Sequence, residues 1–534
     1  MLVLAVSLLL ATGANINFWT TFVDAIGGVT LTRLPLLAGS FVIIALIFHA
    51  LLTLFSFRFV LKPALVVIVV TAAATSWFIS QYGIVIDKAM IQNVFETDTR
   101  EATELLNWRM ILFLAAAAGL PSILLVRLRV DYPSGVRGIM QRGGLVAGAL
   151  AIAAVLLILL FKSLAPVVRE HRELRYLLTP TNTFQALNGY LRNKWRTPVP
   201  LTPLGRDAAK GQRWVGQSRR TVTVIVVGET ARARNFSLNG YARQTNPLLS
   251  QEPDLINFAN VQSCGTATAV SVPCVFSVLE RESYDDTKAK NQEGLLDVLK
   301  HAGFDVVWLD NNSGCKGVCD RVKFVDLSSS SAGNKHCAGG ECYDEGLLED
   351  LPDLIQRSTK DLVVVLHQKG SHGPAYAKRY PNGFGRFGPV CETGEFERCT
   401  RDSIVAAYDN TILYTDYLLG KTIELLRKAE QDEGVDTAML YFSDHGESLG
   451  EGNMYLHGAP YFLAPKEQTH VPMLLWLSDG FRGRFGIEQS CLQARRDQAM
   501  SHDNVFHSVL GMLDVETAIL NPKLDLFHAC IRNS

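Results

Sequence analysis

Two threonines, Thr266 and Thr268, lie where a hydroxyl group could act as a nucleophile. They stand between Cys264 and Cys274 in a run of small residues, with Pro273 in or near the first turn of a predicted helix. The start of a helix has unpaired N–H groups and the positive end of the helix dipole, and both favour a bound phosphate. A threonine hydroxyl becomes a nucleophile only if its pKa is lowered. Taken alone, the segment also fits a helix N-cap next to a structural disulfide.

Polar residues directly follow four of the predicted strands. These polar segments are residues 228–230, 310–313, 367–373 and 443–447. In a parallel sheet, ligands bind beyond the carboxyl ends of the strands, so the four segments predict a site at one edge of the sheet. His457 and His470 lie further along the chain and could fold back onto this edge.

Glu229, Asp444 and His445 offer two oxygen ligands and one nitrogen ligand, which suit Zn²⁺. An ionised Thr268 could complete a tetrahedral set, and zinc would supply the lowered hydroxyl pKa that a threonine nucleophile needs. Adjacent Asp and His residues are common in turns, so that pair alone indicates little. A Glu at one strand end, a Thr at a helix start and an Asp-His pair at another strand end together indicate a metal centre.

These side chains depend for their positions on an α/β domain that begins near residue 221. Short runs rich in Val, Ile and Leu alternate there with longer helical patterns. The runs are residues 221–227, 305–309, 362–366, 438–442 and 472–477, and the helical patterns lie near 293–301, 344–357 and 402–430. Continuous apolar strands that alternate with helices predict a parallel sheet covered on both faces.

The apolar residues of this 534-residue chain concentrate in the first part of the sequence. Five apolar segments lie near residues 1–21, 34–57, 63–86, 108–126 and 144–163. Each is long enough to cross about 30 Å of hydrocarbon as a helix. The first segment lacks the basic N-terminal region and the clear cleavage site of a signal peptide, so we expect it to remain as an anchor. The net charge of −1 gives no sign of nucleic-acid binding.

Loop charges and cysteines predict how the chain is oriented in the membrane. Basic residues dominate the loops after the second and fourth spans, and these residues are Arg58, Lys62, Arg127, Arg129, Arg137 and Arg142. The positive-inside rule puts both loops in the cytoplasm, and five spans then place the C-terminal domain outside. All ten cysteines lie after residue 263, which independently indicates an oxidising compartment for that domain.

The segment between the spans and the α/β domain is predicted to be a bridge. Residues 184–195 mix aromatic and basic side chains, a pattern that suits a helix at the lipid interface and equally a plain linker helix. Three prolines between residues 198 and 203 then end the helical pattern. The predicted domains are a transmembrane domain, an interfacial bridge and a catalytic domain, at residues 1–163, 164–220 and 221–534.

The ten cysteines are predicted to form five disulfides. Two close pairs, 315/319 and 337/342, could instead form a four-cysteine zinc site, but local disulfides are favoured in an exported domain. The predicted pairs are Cys264–Cys274, Cys315–Cys319, Cys337–Cys342, Cys391–Cys399 and Cys491–Cys530. Because most of these loops are short, they constrain the local chain more than they raise global stability.

Several of these segments together resemble the lipid A phosphoethanolamine transferases. That family includes the mobile colistin-resistance enzymes and belongs to the alkaline-phosphatase/sulfatase superfamily. The matching segments are Gly228-Glu229-Thr230, residues 264–274, residues 312–316, Ser371-His372-Gly373-Pro374, residues 443–450 and Tyr455-Leu456-His457-Gly458. The resemblance extends over nearly the whole chain, including the five spans. It implies an α/β/α sulfatase-like fold with a mostly parallel sheet for the second half.

The resemblance also implies roles for individual residues. A zinc ion would be held by Glu229, Thr268, Asp444 and His445, with Thr268 as the nucleophile. A phosphate or headgroup subsite, where a second zinc could bind, would be formed by Thr266, Asn312, Ser313, Lys316, His372 and His457. The segment 92–97 matches the family's loop at the donor headgroup and contributes Asn93, Glu96 and Thr97. From the residues alone, each subsite residue also fits a turn, a surface charge or a packed histidine, and His367 and His470 are expected to be structural.

These expectations combine into one reaction at a membrane surface. Thr268 would attack the phosphorus of phosphatidylethanolamine, release diacylglycerol, and pass phosphoethanolamine to a phosphate of lipid A. The chain would be a monomer in the inner membrane of a Gram-negative bacterium, with its catalytic domain in the periplasm. The added amine would lower the negative charge of the outer surface and thereby the attraction of polymyxin and other cationic peptides.

Other functions remain open at this stage. One is a transferase of the same superfamily that uses a core-oligosaccharide acceptor or transfers glycerol phosphate. A hydrolase is a second, although nothing in hydrolysis requires five spans. A third is a membrane-anchored lipid-binding protein with a degenerate site, which the complete set of metal ligands argues against.

The loop charges lead to a test of the orientation. A reporter that is active only outside the cytoplasm should be active when fused after Arg196 and silent when fused near Gly135, because the positive-inside rule places these points on opposite sides. The reverse pattern would contradict five spans with an external catalytic domain.

Overall fold

A computed structural model describes residues 1–96, 103–132, 135–171, 173–194, 200–328, 335–338 and 341–532. The chain divides into two compact units. The first unit contains residues 1–91 and 106–194, and the second contains residues 92–105 and 195–534. The predicted bridge is therefore shared between the two units, and its residues 195–199 lie outside the described part of the chain.

The first unit is helical. In chain order its helices are α1 (Leu2–Ala11), α2 (Ile16–Ala25), α3 (Leu34–Leu54), α4 (Leu61–Tyr82), α5 (Lys88–Glu96, which ends in the second unit), α6 (Trp108–Leu114), α7 (Leu120–Arg127), α8 (Gly135–Glu170), α9 (Leu174–Leu177) and α10 (Thr181–Lys194). By length and composition, five helical segments among the described residues can cross a membrane, which confirms the number of predicted spans. The fifth is the 36-residue α8, so the predicted boundary at residue 163 falls inside a helix.

The first span is two helices, α1 and α2, separated by a short 3₁₀ turn that contains Asn15. Asn15 is buried, and its side-chain amide donates to the carbonyl oxygens of Leu10 and Thr179 at 2.7 and 2.6 Å. Its side-chain oxygen accepts the Thr179 N–H at 2.8 Å. Lipid offers no hydrogen-bond partners, so a break in a membrane helix needs such internal ones.

Helix α10 contains the segment predicted for the lipid interface, as far as Lys194. Leu187 and Tyr190 on this helix pack against a buried cluster that consists of Ile79, Ile86, Met90, Ile91 and Ala186. Phe184, in contrast, is exposed. Part of the apolar face of α10 is thus covered by the first unit itself.

The second unit is built on an eight-stranded sheet. In chain order its strands are β1 (Ala209–Lys210), β2 (Thr221–Gly228), β3 (Ile256–Gln262), β4 (Asp305–Asp310), β5 (Lys323–Asp326), β6 (Cys337–Ala338), β7 (Glu341–Cys342), β8 (Leu362–His367), β9 (Asp436–Ser443), β10 (Ser448–Glu451), β11 (Met454–Leu456), β12 (His470–Leu477), β13 (Met500–Ser501) and β14 (Val515–Glu516). The sheet order is β13-β3-β12-β9-β2-β8-β4-β5. The other strands pair as the ribbons β1–β14, β6–β7 and β10–β11.

The sheet is mostly parallel, as predicted. Strands β9, β2, β8, β4 and β5 run parallel to one another, whereas β12 is antiparallel to both β9 and β3. The five apolar runs of the sequence correspond to β2, β4, β8, β9 and β12. Strand β3 is not among these five runs, because its sequence contains two asparagines and a glutamine and four of its seven residues are only partly buried.

Helices cover both faces of this sheet. They are α11 (Thr268–Val275), α12 (Asp286–Lys290), α13 (Leu295–His301), α14 (Gly346–Glu349), α15 (Leu351–Arg357), α16 (Arg401–Asp432), α17 (Lys466–Thr469), α18 (Asp479–Phe485), α19 (Gln489–Ala494) and α20 (Asp503–Met512). Every residue of β2, β8 and β9 is buried, as expected for central parallel strands between two helical layers. The longest of these helices, α16, is capped by Thr400, whose hydroxyl oxygen accepts the Ser403 N–H at 3.2 Å.

All ten cysteines form disulfides within the second unit. The pairs are Cys264–Cys274, Cys315–Cys319, Cys337–Cys342, Cys391–Cys399 and Cys491–Cys530, the same five that the sequence suggests. The first of them links α11 to the segment just before it. The pairing leaves no cysteine for a four-cysteine zinc site.

The disulfides lead to a second test. Alkylation of the exported protein under denaturing, non-reducing conditions should label no cysteine, because all ten sulfurs are paired. Reduction before alkylation serves as the control and should give ten labels. Quantitative labelling of the cysteines at 315, 319, 337 and 342 without reduction, with an additional tightly held zinc, would contradict the pairing.

Candidate active site

The polar segments of the sequence meet at the carboxyl edge of the sheet. Glu229 follows β2, Asp444 follows β9, His367 ends β8, and Asn312 follows β4, and these four strands are adjacent in the order β9-β2-β8-β4. Gly228 lies opposite Ser443 in the β2–β9 register, so the residues after them, 229 and 444, are neighbours. The edge position that the sequence predicts is therefore where these side chains lie.

Thr268 is the first residue of α11 and lies against Glu229 and His445. Its Oγ1 is 3.0 Å and 3.2 Å from the two carboxylate oxygens of Glu229 and 3.3 Å from Nε2 of His445. The side chain of Thr268 is largely buried. The hydroxyl thus donates to a carboxylate at the start of a helix, where a base and an anion-binding backbone are both within reach.

Glu229, Asp444 and His445 form a group that could hold a metal ion. Oxygens of the two carboxylates and a ring nitrogen of the histidine all lie within 4.8 Å of one another, and all three residues are fully buried. Nε2 of His445 is 3.3 Å from Oε1 of Glu229 and 3.4 Å from Oδ2 of Asp444. Asp444 Oδ2 accepts no hydrogen bond from the described residues. A buried carboxylate oxygen without a donor is the place where a cation would fit.

The surrounding contacts orient these three side chains. Nδ1 of His445 donates to the Gly446 carbonyl oxygen at 2.9 Å, so Nε2 is the ring nitrogen that faces Glu229 and Asp444. Asn312 donates to Oε2 of Glu229 at 2.7 Å. Asp444 Oδ1 accepts the backbone N–H groups of Thr230 and His445, at 3.1 and 2.7 Å.

The electrostatics of this group favour a positive charge. Burial, together with the charge of Glu229, raises the pKa of Asp444 to about 6. Burial acts to lower the pKa of His445, but the charges of Asp444 and Glu229 outweigh it and raise that pKa to about 10. Two carboxylates in one buried place hold a proton on the histidine, and a divalent cation would satisfy the same demand.

A second group of side chains lies beside the first. The ring centroids of His445 and His457 are 4.4 Å apart, and those of His457 and His372 are 5.3 Å apart. Nδ1 of His457 is 3.4 Å from Oε1 of Glu447, a fully buried carboxylate whose pKa burial raises to about 8. The sequence placed His372 and His457 in a subsite but gave Glu447 no role, although Glu447 lies in the same polar segment as Asp444.

Among the remaining subsite candidates, Lys316 contacts its own loop and Thr266 contacts a neighbouring loop. Lys316 donates to both the carbonyl oxygen and the hydroxyl of Ser313, each at 2.9 Å. The Thr266 hydroxyl donates to the Ala459 carbonyl at 2.6 Å, and the Thr266 carbonyl accepts the Gly458 N–H at 2.7 Å. Thr266 therefore holds the loop after His457 against the loop before α11.

The segment predicted to meet the donor headgroup is only partly described. Asn93 and Glu96 lie on α5, and Thr97 lies outside the described residues. The contacts described for Glu96 are with Gln92 at 3.1 Å and with Lys290 at 3.9 Å, not with the side chains around Thr268. Neither of these contacts links Glu96 to Glu229, Asp444 or His445.

Two histidines beside the site bind other protein groups. His367 is fully buried, and its Nδ1 lies 2.7 Å from Oδ1 of Asp310. Nε2 of His470 donates to the Ala259 carbonyl oxygen at 2.8 Å. His502, which the sequence did not single out, accepts the Cys264 N–H at 3.1 Å through Nδ1, so its Nε2 donates to the Ser443 carbonyl at 3.0 Å. His502 thus ties the loop before α11 to the end of β9.

Comparisons with known proteins cover both units. A family model described as "Phosphoethanolamine transferase EptA/EptB" matches residues 44–195, and one described as "Sulfatase" matches residues 221–515. The chain is 39% identical to "Phosphoethanolamine transferase EptA" of Escherichia coli K12, over 97% of this chain and 95% of the relative. It is 37% identical to "Phosphatidylethanolamine transferase Mcr-1" of Escherichia coli, over 96% of this chain and 94% of the relative.

A solved structure shows the same fold over the full length. The integral membrane lipooligosaccharide phosphoethanolamine transferase A of Neisseria meningitidis superposes with a TM-score of 0.95 and 35% identity, and the match covers 100% of this chain and 99% of that one. Five apolar helices followed by a sulfatase-like domain are thus common to both proteins. The chain belongs to the phosphoethanolamine transferase family and is an enzyme of that class.

Proposed function

We propose that this enzyme transfers phosphoethanolamine from phosphatidylethanolamine to a phosphate of lipid A in two steps, with the group held on Thr268 between them. The observation that supports this most is the position of the Thr268 hydroxyl. It lies at the start of a helix, 3.0 Å from a buried carboxylate and 3.3 Å from a histidine nitrogen. The names of the relatives, a lipooligosaccharide transferase among them, support the acceptor class.

We propose zinc as the cofactor of the group formed by Glu229, Asp444 and His445, with the Thr268 oxygen as a fourth ligand. Two oxygens and one nitrogen suit this ion, and the unpartnered oxygen of Asp444 offers it a place. When bound, zinc would lower the pKa of the threonine hydroxyl and offset negative charge on the phosphoryl group.

In the first step Thr268 Oγ1 forms a bond to phosphorus while the bond from phosphorus to the glycerol oxygen breaks. Glu229 accepts a hydrogen bond from the hydroxyl and is placed to take its proton. Diacylglycerol leaves as an alcohol, because its oxygen takes up the proton that Glu229 received from Thr268. The backbone N–H groups at the start of α11 and the charge of Lys316 stabilise the equatorial phosphoryl oxygens.

In the second step a phosphate oxygen of lipid A attacks the same phosphorus, and Thr268 Oγ1 leaves and regains, through Glu229, the proton that the phosphate group gives up. His372 and His457, whose rings are neighbours, hold the phosphoethanolamine group while the acceptor replaces diacylglycerol. The ring nitrogens of these two histidines would also be the ligands of a second zinc. Transfer rather than hydrolysis requires that water stays out, which the burial of the ligand group favours.

We propose the inner membrane of a Gram-negative bacterium as the location, with the second unit in the periplasm and the enzyme acting as a monomer. The basic loops after the second and fourth spans and the five disulfides support this orientation. The product carries a new amine, so its net negative charge falls and cationic peptides such as polymyxin bind less strongly.

Removal of a proposed ligand should remove zinc. Asp444→Ala or His445→Ala should lose most of the metal and transfer activity, because three ligands cannot hold the ion as four do. The second unit should stay folded, since its sheet and disulfides do not depend on one ligand. Zinc per protein is measured by elemental analysis and folding by circular dichroism.

His528→Ala is the matched control for the zinc measurement. His528 is exposed and lies near the C-terminal end of the chain. This variant should keep the metal and the activity of the wild type. Full metal and full activity in Asp444→Ala or His445→Ala would show that the ligand set is wrong.

Substitution of the nucleophile tests the two-step reaction. Thr268→Ala has no hydroxyl, so transfer should fall by roughly 10³-fold or more. Thr268→Ser keeps an oxygen and should keep partial activity, and Thr266→Ala should be milder than Thr268→Ala because Thr266 bonds to a neighbouring loop. Wild-type enzyme with phosphatidylethanolamine and no acceptor should carry one phosphoethanolamine on the peptide with Thr268, which tandem mass spectrometry detects.

Two results would contradict this mechanism. One is near wild-type transfer by Thr268→Ala, and the other is an adduct on Thr266 or Ser271. Mass spectra of lipid A and of core oligosaccharide, from cells with and without the gene, identify the acceptor. A modification confined to the core would favour the transferase with a sugar acceptor.

A further inference from the structure

Arg379 is a buried arginine whose guanidinium has three partners on three separate segments. Nη2 lies 2.5 Å from Oε2 of Glu104, Nη1 lies 2.9 Å from Oε1 of Glu341, and Nε donates to the carbonyl oxygen of His372 at 2.7 Å. Only 1% of the Arg379 side chain is exposed. A planar guanidinium can serve all three directions at once, which an ammonium group cannot do.

Glu104 belongs to the short stretch 92–105, which the chain contributes to the second unit between the third and fourth membrane spans. Its side chain is 7% exposed and also lies 3.3 Å from Nζ of Lys378. Burial acts to raise the pKa of Glu104, but Arg379 and then Lys378 lower it below its usual value, so the carboxylate is ionised. The backbone of Glu104 packs closely as well, since a Cβ on Gly394 would meet the Glu104 carbonyl at 3.3 Å.

This arrangement makes the two acidic partners necessary. A guanidinium removed from water needs paired charges and hydrogen bonds, and loss of one carboxylate leaves much of its charge uncompensated. Arg379 would then shift toward Glu341 or toward solvent. Either movement changes the hydrogen bond from Nε to the His372 carbonyl, because all three contacts share one rigid plane.

The His372 end of the network lies in the site. The ring of His372 is 5.3 Å from that of His457, and its Nδ1 donates to the Gly373 carbonyl at 2.8 Å. The position of this ring therefore depends on the backbone at residues 372 and 373. That backbone is held by Arg379, and Arg379 is held by Glu104.

We propose that Arg379 is a positioning residue for the transfer reaction, which couples the stretch 92–105 to the placement of His372 through Glu104. This inference rests on the proposed function, in which His372 holds the phosphoethanolamine group. In the sequence, Leu105 lies three residues before the span Trp108–Arg127.

The test uses the full-length enzyme with vesicles that contain phosphatidylethanolamine, and it measures the rate of adduct formation on Thr268. Glu104→Gln keeps the shape of the side chain but removes its charge, and it should lower kcat/KM by about 10-fold, a usual loss when a group that orients a site residue is removed. The control is Glu252→Gln, which removes the charge from another arginine pair in the second unit, Glu252–Arg427 at 2.5 Å. This control should leave the rate unchanged.

A double-mutant cycle separates positioning from general stability. If Glu104 acts through His372, Glu104→Gln should cost less than about 2-fold when it is added to His372→Ala. Arg379→Lys keeps the charge but not the three contacts. It is measured alone and combined with His372→Ala in the same way. Glu104→Asp keeps the carboxylate, and a rate of at least half that of the wild type in this variant would further support a requirement for charge at this position.

Three outcomes would contradict the proposal or the function on which it rests. A wild-type rate for both Glu104→Gln and Arg379→Lys overturns the positioning role. The same 10-fold loss with and without His372 also overturns it, because the network would then act on the fold as a whole. A wild-type enzyme that forms no adduct on Thr268 would instead refute the proposed function itself.

Discussion

The site depends on two carboxylates that are buried side by side. Glu229 and Asp444 follow adjacent parallel strands whose register places Gly228 opposite Ser443. Glycine is required at 228, because a Cβ there would meet the ring of Tyr441 at 2.6 Å. Two buried negative charges are stable only beside a positive charge, which a protonated His445 or the proposed zinc would supply. The close pairing of these strands thus creates the electrostatic condition on which the chemistry rests.

The nucleophile is held to this carboxylate pair by contacts of its own helix. The Ser271 hydroxyl, one turn after Thr268, donates to the carbonyl oxygen of Asp444. His502 joins the loop before α11 to the carbonyl of Ser443. Thr230, a β-branched residue with φ of 61°, links the two carboxylates directly. Its backbone N–H donates to Asp444 and its hydroxyl donates to Glu229. Strained backbone of this kind is maintained where the surrounding contacts determine a precise side-chain position.

Buried polar groups find their partners in different ways in the two units. In the first unit, the buried Asn15 side chain finds its hydrogen-bond partners in the backbone of that unit, where lipid would offer none. In the second unit, buried charges are paired across long separations in the chain. The pair of Arg379 and Glu104 is an example, and it brings into the second unit a stretch that the sequence places between two membrane spans.

Local patterns in the sequence were sufficient for the outline of this protein. Hydropathy over about twenty residues is a local property, so the number of spans was predictable, although the length of α8 was not. Apolar runs between helical patterns likewise predicted the parallel core of the sheet. The antiparallel direction of β12 was not predictable, because pairing direction depends on the path of the chain between strands.

Residue type and position were enough to nominate one group, in which Glu229, Asp444 and His445 follow strands and Thr268 starts a helix. The carboxyl ends of parallel strands share an edge of the sheet, so the side chains that follow them meet there. Only the tertiary structure showed that Glu447 joins the histidines and that His502 anchors the loop before α11. The same holds for the network of Arg379, whose partner Glu104 is 275 residues away in the chain. Such pairs leave no local signal, since a buried charge and its counter-charge need to be close only after the chain has folded.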